Sequence, residues 1–231
     1  MSDTKPHNDD PKYAWRHLSH RGLPKRSVVE RVADFLEIHG PYDEAAAREQ
    51  ASRCIQCAEP TCVTGCPLSS PIPEWMALTA EGRFLEAASL LHSNVPLPEI
   101  CARLCPSEQS CEDVCVLNGQ TEAASIGAVE RFLSDYAFAH PTTETEPVTP
   151  NGWRVAVAGS GPGGLTCAEE LVKRGYAVTV FDSDLVPGGL LVNGTPAFKL
   201  EKSVVQRRVQ LLHQRGVVFR LGVTIGEDLS L

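Results

Sequence analysis

Nine cysteines occur in this 231-residue chain, and eight of them lie between positions 54 and 115. Cys54, Cys57, Cys62 and Cys66 read C-x2-C-x4-C-x3-C, with Pro67 behind the last. After 34 intervening residues, Cys101, Cys105, Cys111 and Cys115 read C-x3-C-x5-C-x3-C, with Pro106 behind Cys105. Thiolates are soft ligands that select iron–sulfur clusters or zinc. Eight of them satisfy two four-iron clusters. Cys62-x3-Cys66-Pro67 follows the tail of the bacterial ferredoxin run, whose last sulfur goes to the other cluster, although the x4 gap before it departs from that spacing. The residues therefore read as two [4Fe–4S] clusters with interleaved ligands. Three other readings compete. Structural zinc prefers paired C-x2-C knuckles, and only Cys54 and Cys57 make one. Disulfides need an oxidising compartment, and MSDTKPHNDDPK lacks the apolar core of an export signal. Buried free thiols have no reason to gather at ligand spacing.

A second constellation follows. Trp153–Ala158 (WRVAVA) reads as a short buried strand that runs into Gly159-Ser160-Gly161-Pro162-Gly163-Gly164. LTCAEELVKRG then reads as a helix ending at Gly175, and AVTVFD as a strand ending at Asp182. Strand, G-x-G-x-x-G, helix, strand and acid in this order form a dinucleotide fingerprint. Gly159 permits the tight turn, Gly161 lets backbone approach a pyrophosphate, and Gly164 allows close helix–strand packing. The helix start offers unpaired N–H groups to phosphate. Asp182 can accept hydrogen bonds from a ribose, and an acid there disfavours NADP at this site. The motif alone leaves FAD and NAD(P) open. Cys167, inside that helix, reads as a small buried hydrophobe. The seven histidines form no ligand pair or triad.

The elements that must position these groups fall into two regimes. Residues 1–26 are polar and broken by prolines, and read as an extended arm. Val28, Val29, Val32, Phe35 and Leu36 have the spacing of an amphipathic helix ending near Gly40. Asp43 is a candidate N-cap for EAAAREQASR, which leads into Cys54. Between the cysteine sets, short helices are expected around Ile72–Leu78 and Phe84–Leu91, with Trp75 and Phe84 in the core. The stretch 95–100 (VPLPEI) reads as a turn, and EAASIGAVERFLSDYAFA as a longer helix. Residues 27–140 thus read as an all-helical cluster domain. Residues 141–152 (PTTETEPVTPNG) have linker composition, and residues 153–231 read as the first part of a Rossmann-like FAD-binding domain. The formal net charge of −8 argues against nucleic acid as a partner. No apolar run approaches a membrane span. A soluble protein of the reducing cytoplasm is expected.

These residues together resemble the small subunit of NADPH-dependent glutamate synthase and the N-terminal part of dihydropyrimidine dehydrogenase. EAAAREQASRCIQCAEPTCVTGCP, PEICARLCPSEQSCEDVCVL, IGAVERFLSDYA, VAVAGSGPGGLTCAEELVKRGYAVTVFD and GGLLVNGTPAFKLEK carry the likeness. The resemblance implies FAD at Gly159–Gly164, with Asp182 at its ribose and Gly189, Leu190 and Lys199 toward the flavin end. It implies electrons entering from NADPH at FAD and leaving singly through two [4Fe–4S] clusters to the flavin of a large partner subunit. It also revises the ligand set. One cluster falls to Cys54, Cys57, Cys62 and Cys115. The other falls to Cys66, Cys105, Cys111 and a non-cysteine ligand, Glu130, which leaves Cys101 a bystander, whereas the cysteine count favours Cys101.

The family usually has Gly where this chain has Ala102, and G-I-P where it has Gly194-Thr195-Pro196. After a helix over LEKSVVQRRVQLLHQRG and a strand over VVFRLGV, the family continues into an NADPH domain, so residues 1–231 alone are expected not to oxidise NADPH. The competing expectation is a non-catalytic electron-transfer or assembly subunit whose NADPH-binding half lies on a separate chain.

Overall fold

A computed structural model describes residues 11–141 and 148–230. The expectations for residues 1–10 of the arm and 142–147 of the linker lie outside the described residues. The chain divides into two compact units. One holds the described residues up to Arg26 together with His39–Pro141, and the other holds Ser27–Ile38 and the described residues beyond 147. Helix α1 (Val28–Asp34) belongs to the second unit and is described with it.

The first unit contains helices α2 (Glu44–Ala51), α3 (Thr61–Gly65), α4 (Ile72–Glu81), α5 (Phe84–Asn94), α6 (Pro98–Leu104) and α7 (Ile126–Ala139), with short 3-10 turns at Pro11–Arg16 and Ser107–Gln109. Asp43 caps α2 by accepting from the Ala46 N–H at 2.7 Å. Residues 95–97 bend as expected, but the second half of the expected turn is helix, because Pro98 sits in the first turn of α6, where a missing N–H costs nothing. The core gathers Trp75, Met76, Leu91, Val129 and Leu133, all fully buried. Phe84, Phe132 and Tyr136 stack edge to face over α5 and α7 at 5.0–5.1 Å. Each such side chain contributes about 2 kcal/mol by leaving water.

Two buried polar side chains tie the arm to this core. Arg53 donates to the carbonyls of Leu18, Ala123 and Glu122 at 3.0, 2.7 and 2.7 Å. Gln50 donates to the Ser19 carbonyl and accepts from the Arg21 N–H and the Ser125 hydroxyl. The described arm is therefore pinned through its backbone to the cysteine-bearing helices.

The second unit is a three-stranded parallel sheet in the order β1 (Arg154–Ala158), β2 (Ala177–Asp182), β3 (Val218–Leu221). Val155 pairs with Val178, and Val180 with Phe219. Helices α8 (Pro162–Lys173) and α10 (Lys202–Gln214) make the crossovers, with the short α9 (Leu190–Asn193) between β2 and α10. Val157, Val180, Leu165, Val205 and Leu212 form the core between sheet and helices. The Glu169 carboxylate, buried on α8, pairs with Arg208 at 3.4 Å and with Arg215.

Residues 27–38 depart from the expected domain boundary. The Glu37 carboxylate accepts from the Glu201 N–H at 3.1 Å, at the start of α10, and the Ile38 N–H donates to the Phe198 carbonyl at 3.1 Å. One side-chain and one backbone acceptor thus hold the segment in the second unit. Helix α1 is also shorter than its apolar spacing suggests. Ser27 and Glu30 form a reciprocal capping box, and Phe35 turns left-handed at φ 54° and ends the helix. Val28, Val29, Val32, Phe35 and Leu36 are all exposed.

Candidate functional site

The eight clustered cysteines line two cavities in the helical unit. Cys54, Cys57, Cys62 and Cys115 surround one, with Ile55, Met76 and Ala124 in its wall. Cys66, Cys101, Cys105, Cys111 and Glu130 surround the other, with Trp75 and Ser110. Ile72 and Ile126 belong to both walls. Local geometry explains the sorting. Cys54 follows the last turn of α2, and Gln56 adopts a left-handed φ of 53° that turns the chain back between Cys54 and Cys57. Gln56 is held there by its side-chain amide, which donates to the Pro73 carbonyl at 2.9 Å. Cys62 lies within α3 and Cys66 caps its end, so one short helix serves both cavities. Cys101 and Cys105 stand one turn apart at the end of α6, and Glu130 comes from α7.

All nine cysteines are free thiols. Among the described residues no three Cys, His, Asp or Glu side chains converge as a single metal ion requires. The thiols surround voids of about 20 Å³ and about 170 Å³ instead. The smaller must widen by side-chain rotation to take a multi-iron group.

Burial, reinforced by neighbouring thiol and carboxyl groups, pushes Cys62, Cys101 and Cys111 up to about 12 and Cys54 to about 11. These thiols are neutral until cationic iron compensates their charge, and loading releases protons. Burial, with Glu112 and Glu99 nearby, pushes the Glu130 carboxyl up to about 8. That carboxyl faces the larger cavity without a hydrogen bond or ion pair among the described residues. A carboxyl that lines a cavity together with four thiols stands where a ligand would. The donor set therefore fits two iron–sulfur groups.

Several side chains here escaped the sequence reading. The Gln56 amide lies 3.4 Å from the Cys54 sulfur, and the Ser110 hydroxyl 4.0 Å from the Cys105 sulfur. Donors to ligand sulfurs are one lever on cluster potential. Their only sequence signal is position, Gln56 inside C-x2-C and Ser110 just before Cys111. Glu112 accepts from the Gly127 N–H at 2.9 Å at the start of α7. Trp75 is core as expected, yet it also walls the larger cavity, with its indole N–H on the Ser70 hydroxyl at 3.1 Å.

The loop between β1 and α8 has the shape its glycines suggest. Gly159 takes φ +88°. A Cβ at Gly164 would stand 1.9 Å from the Gly159 carbonyl oxygen, so only glycine lets α8 start this close to β1. Gly161 and Gly163 face open space, and Pro162 occupies the first turn of α8. Ser160 is turned inward and fully buried. Its N–H and hydroxyl both donate to one Asp182 carboxylate oxygen at 2.5 Å, and the hydroxyl accepts from the Gly188 N–H at 3.2 Å. The other Asp182 oxygen accepts from the Asp184 N–H at 2.9 Å. Partial burial raises the Asp182 pKa, but these donors outweigh it and hold the carboxyl below its usual range. Gly189 folds over the loop at φ +50°, where a Cβ would meet Gly161 Cα at 2.9 Å. Leu190 is exposed at the start of α9, and Lys199 is exposed on the following turn. It is Lys202 that ties this segment together, through the Leu191 and Thr195 carbonyls. Cys167 is exposed on α8, not buried as expected.

Comparisons with known proteins match both parts of the chain. Residues 31–142 match the family model described as dihydropyrimidine dehydrogenase domain II, 4Fe-4S cluster, and residues 157–221 match the NAD(P)-binding Rossmann-like domain. The glutamate synthase [NADPH] small chain of Azospirillum brasilense is 45% identical over 93% of this chain and 45% of its own length. That of Escherichia coli K12 is 42% identical over 95% of this chain and 47% of its own length. A putative oxidoreductase of the same bacterium, UacF, is 40% identical over 92% and 34%. The chain thus spans less than half the length of these relatives. No helix among the described residues is long and apolar enough to cross a membrane. With a helical 4Fe-4S domain followed by part of a Rossmann-like fold, the chain is similar over 93–95% of its length to the glutamate synthase small chains.

Proposed function

We propose that the chain is the electron-transfer part of an FAD and iron–sulfur oxidoreductase of the glutamate synthase small-chain type. The observation that carries this reading is the separation of the eight clustered thiols into two cavities of the helical unit, on a chain whose other unit has an open glycine loop. Cys54, Cys57, Cys62 and Cys115 would hold one [4Fe–4S] cluster, and Cys66, Cys105, Cys111 and Glu130 the other. The loop Gly159–Gly164 would take the FAD pyrophosphate on the N–H groups of α8, with Asp182 toward the ribose and Gly189, Leu190 and Lys199 toward the flavin. Bound there, the groups supply the electron chemistry: flavin exchanges a pair of electrons and iron–sulfur clusters carry them singly. The chain's own residues exclude water with Trp75, Ile72 and Ile126, place the Gln56 amide as a donor at the Cys54 sulfur, and set the Ser110 hydroxyl beside the Cys105 sulfur. The family likeness supports NADPH as electron source and a large flavoenzyme subunit as acceptor.

The test is metal and flavin analysis of the anaerobically purified chain. About eight irons and eight sulfides, with broad absorbance near 400 nm, are expected for two clusters. Zinc without sulfide would overturn the electron-transfer reading. A second assay adds NADPH and an artificial acceptor; no turnover is expected from residues 1–231 alone, and turnover would reassign the nicotinamide site to this chain.

A further inference from the structure

The roomier cavity presents five donors, one more than a four-iron cluster uses: Cys66, Cys101, Cys105, Cys111 and Glu130. Cys101 and Cys105 share a helix face, because they are four residues apart and the Cys105 N–H donates to the Cys101 carbonyl at 2.8 Å. Helix α7, which carries Glu130, packs along α6, and Glu130 lines the same cavity as Cys101. Cys101 is therefore no bystander in space. It shares a wall with the Glu130 carboxyl, in a cavity of about 170 Å³ with room for a side chain to swing.

We propose that Cys101 is a reserve ligand of this cavity, a thiol that takes the iron coordinated by Glu130 when the carboxylate is removed or displaced. The inference rests on the two-cluster reading above. The exchange is a ligand substitution: the iron–oxygen bond to Glu130 breaks and an iron–sulfur bond to Cys101 forms. The thiol proton passes to the freed carboxylate, or to water when the carboxylate is absent, and no electron is gained or lost. One anionic ligand replaces another, so the iron stays four-coordinate while its ligand softens from oxygen to sulfur.

Four variants of the full chain, purified anaerobically, test this by iron and sulfide content and by EPR of the reduced protein. Cys101→Ser is expected to keep about eight irons and an unchanged spectrum, and Glu130→Ala to keep about eight with one cluster signal altered. Glu130→Leu, which preserves volume, repeats the second result if loss of cavity filling is not the cause. The double variant Glu130→Ala/Cys101→Ser is expected to fall to about four irons. The cluster on Cys54, Cys57, Cys62 and Cys115 serves as an internal report that each variant has folded. The proposal is overturned if both Glu130 variants fall to half the iron, if the double variant keeps it all, or if Cys101→Ser alone loses a cluster. A wild-type chain without acid-labile sulfide would sink the cluster reading itself, a distinct result.

Discussion

In the helical unit the donors that define the candidate site are side chains, brought in from the end of α2, α3, α6, the loops after each and α7. In the α/β unit the cradle is main chain, the turn between β1 and α8 with Gly189 folded above it. The first kind of site is uncomfortable without its inorganic group, holding neutral buried thiols and an unpartnered carboxyl. The second needs only space and the right φ. The two units should therefore fail for different reasons.

The largest expected effect is on the helical unit. Stripping iron and sulfide with chelator and oxidant should abolish hydrogen-exchange protection across α3–α7 while that of β1, β2 and α8 persists. Equal losses in both units would break the comparison. Next comes Arg53→Ala, which leaves three carbonyls without their donor. At about 1 kcal/mol each it should destabilise the helical unit by about 3 kcal/mol in urea titration. An effect near zero would mean that water replaces the guanidinium and that the arm is not pinned.

Gly164→Ala probes the other unit. Its Cβ overlaps the Gly159 oxygen, so about 1–3 kcal/mol of overpacking strain is expected, with loss of bound flavin and unchanged iron content. The smallest effect concerns acid. Because the folded Asp182 carboxyl is held below its usual range, its stabilising contribution is complete above the unfolded carboxylate pKa of about 3.9 and fades as pH falls through the folded value. Asp182→Asn should flatten that acid-side slope in the α/β unit. An unchanged slope would mean that the Ser160 contacts do not favour the carboxylate.

What could be read along the chain was local. The AVTVFD strand and the order strand, glycine loop, helix, strand depend on neighbours in sequence and stand as read, but the first strand, expected to be buried, keeps only Val157 inside, with Arg154, Ala156 and Ala158 exposed. Pro98 misled, because a proline that starts a helix and one that makes a turn look alike in VPLPEI. The apolar spacing from Val28 to Leu36 predicted a buried helix face, but Phe35 turns left-handed and the Glu37 carboxylate binds at position 201, a pairing no periodicity reveals. The inward turn of Ser160 depends on an acid 22 residues away. The meeting of Cys101 with Glu130 depends on how α6 lies along α7. Cysteine spacing shows how many donors exist, and only packing decides which of them share a wall.

Helix α3 has a consequence of its own. It delivers Cys62 to one cavity and Cys66 to the other, and the Cys66 N–H donates to the Cys62 carbonyl at 3.0 Å. For any pair of redox groups held in the two cavities, that hydrogen bond shortcuts the covalent route through the intervening residues. Ile72 and Ile126 line both cavities, so apolar side chains as well as this turn of helix stand between the two.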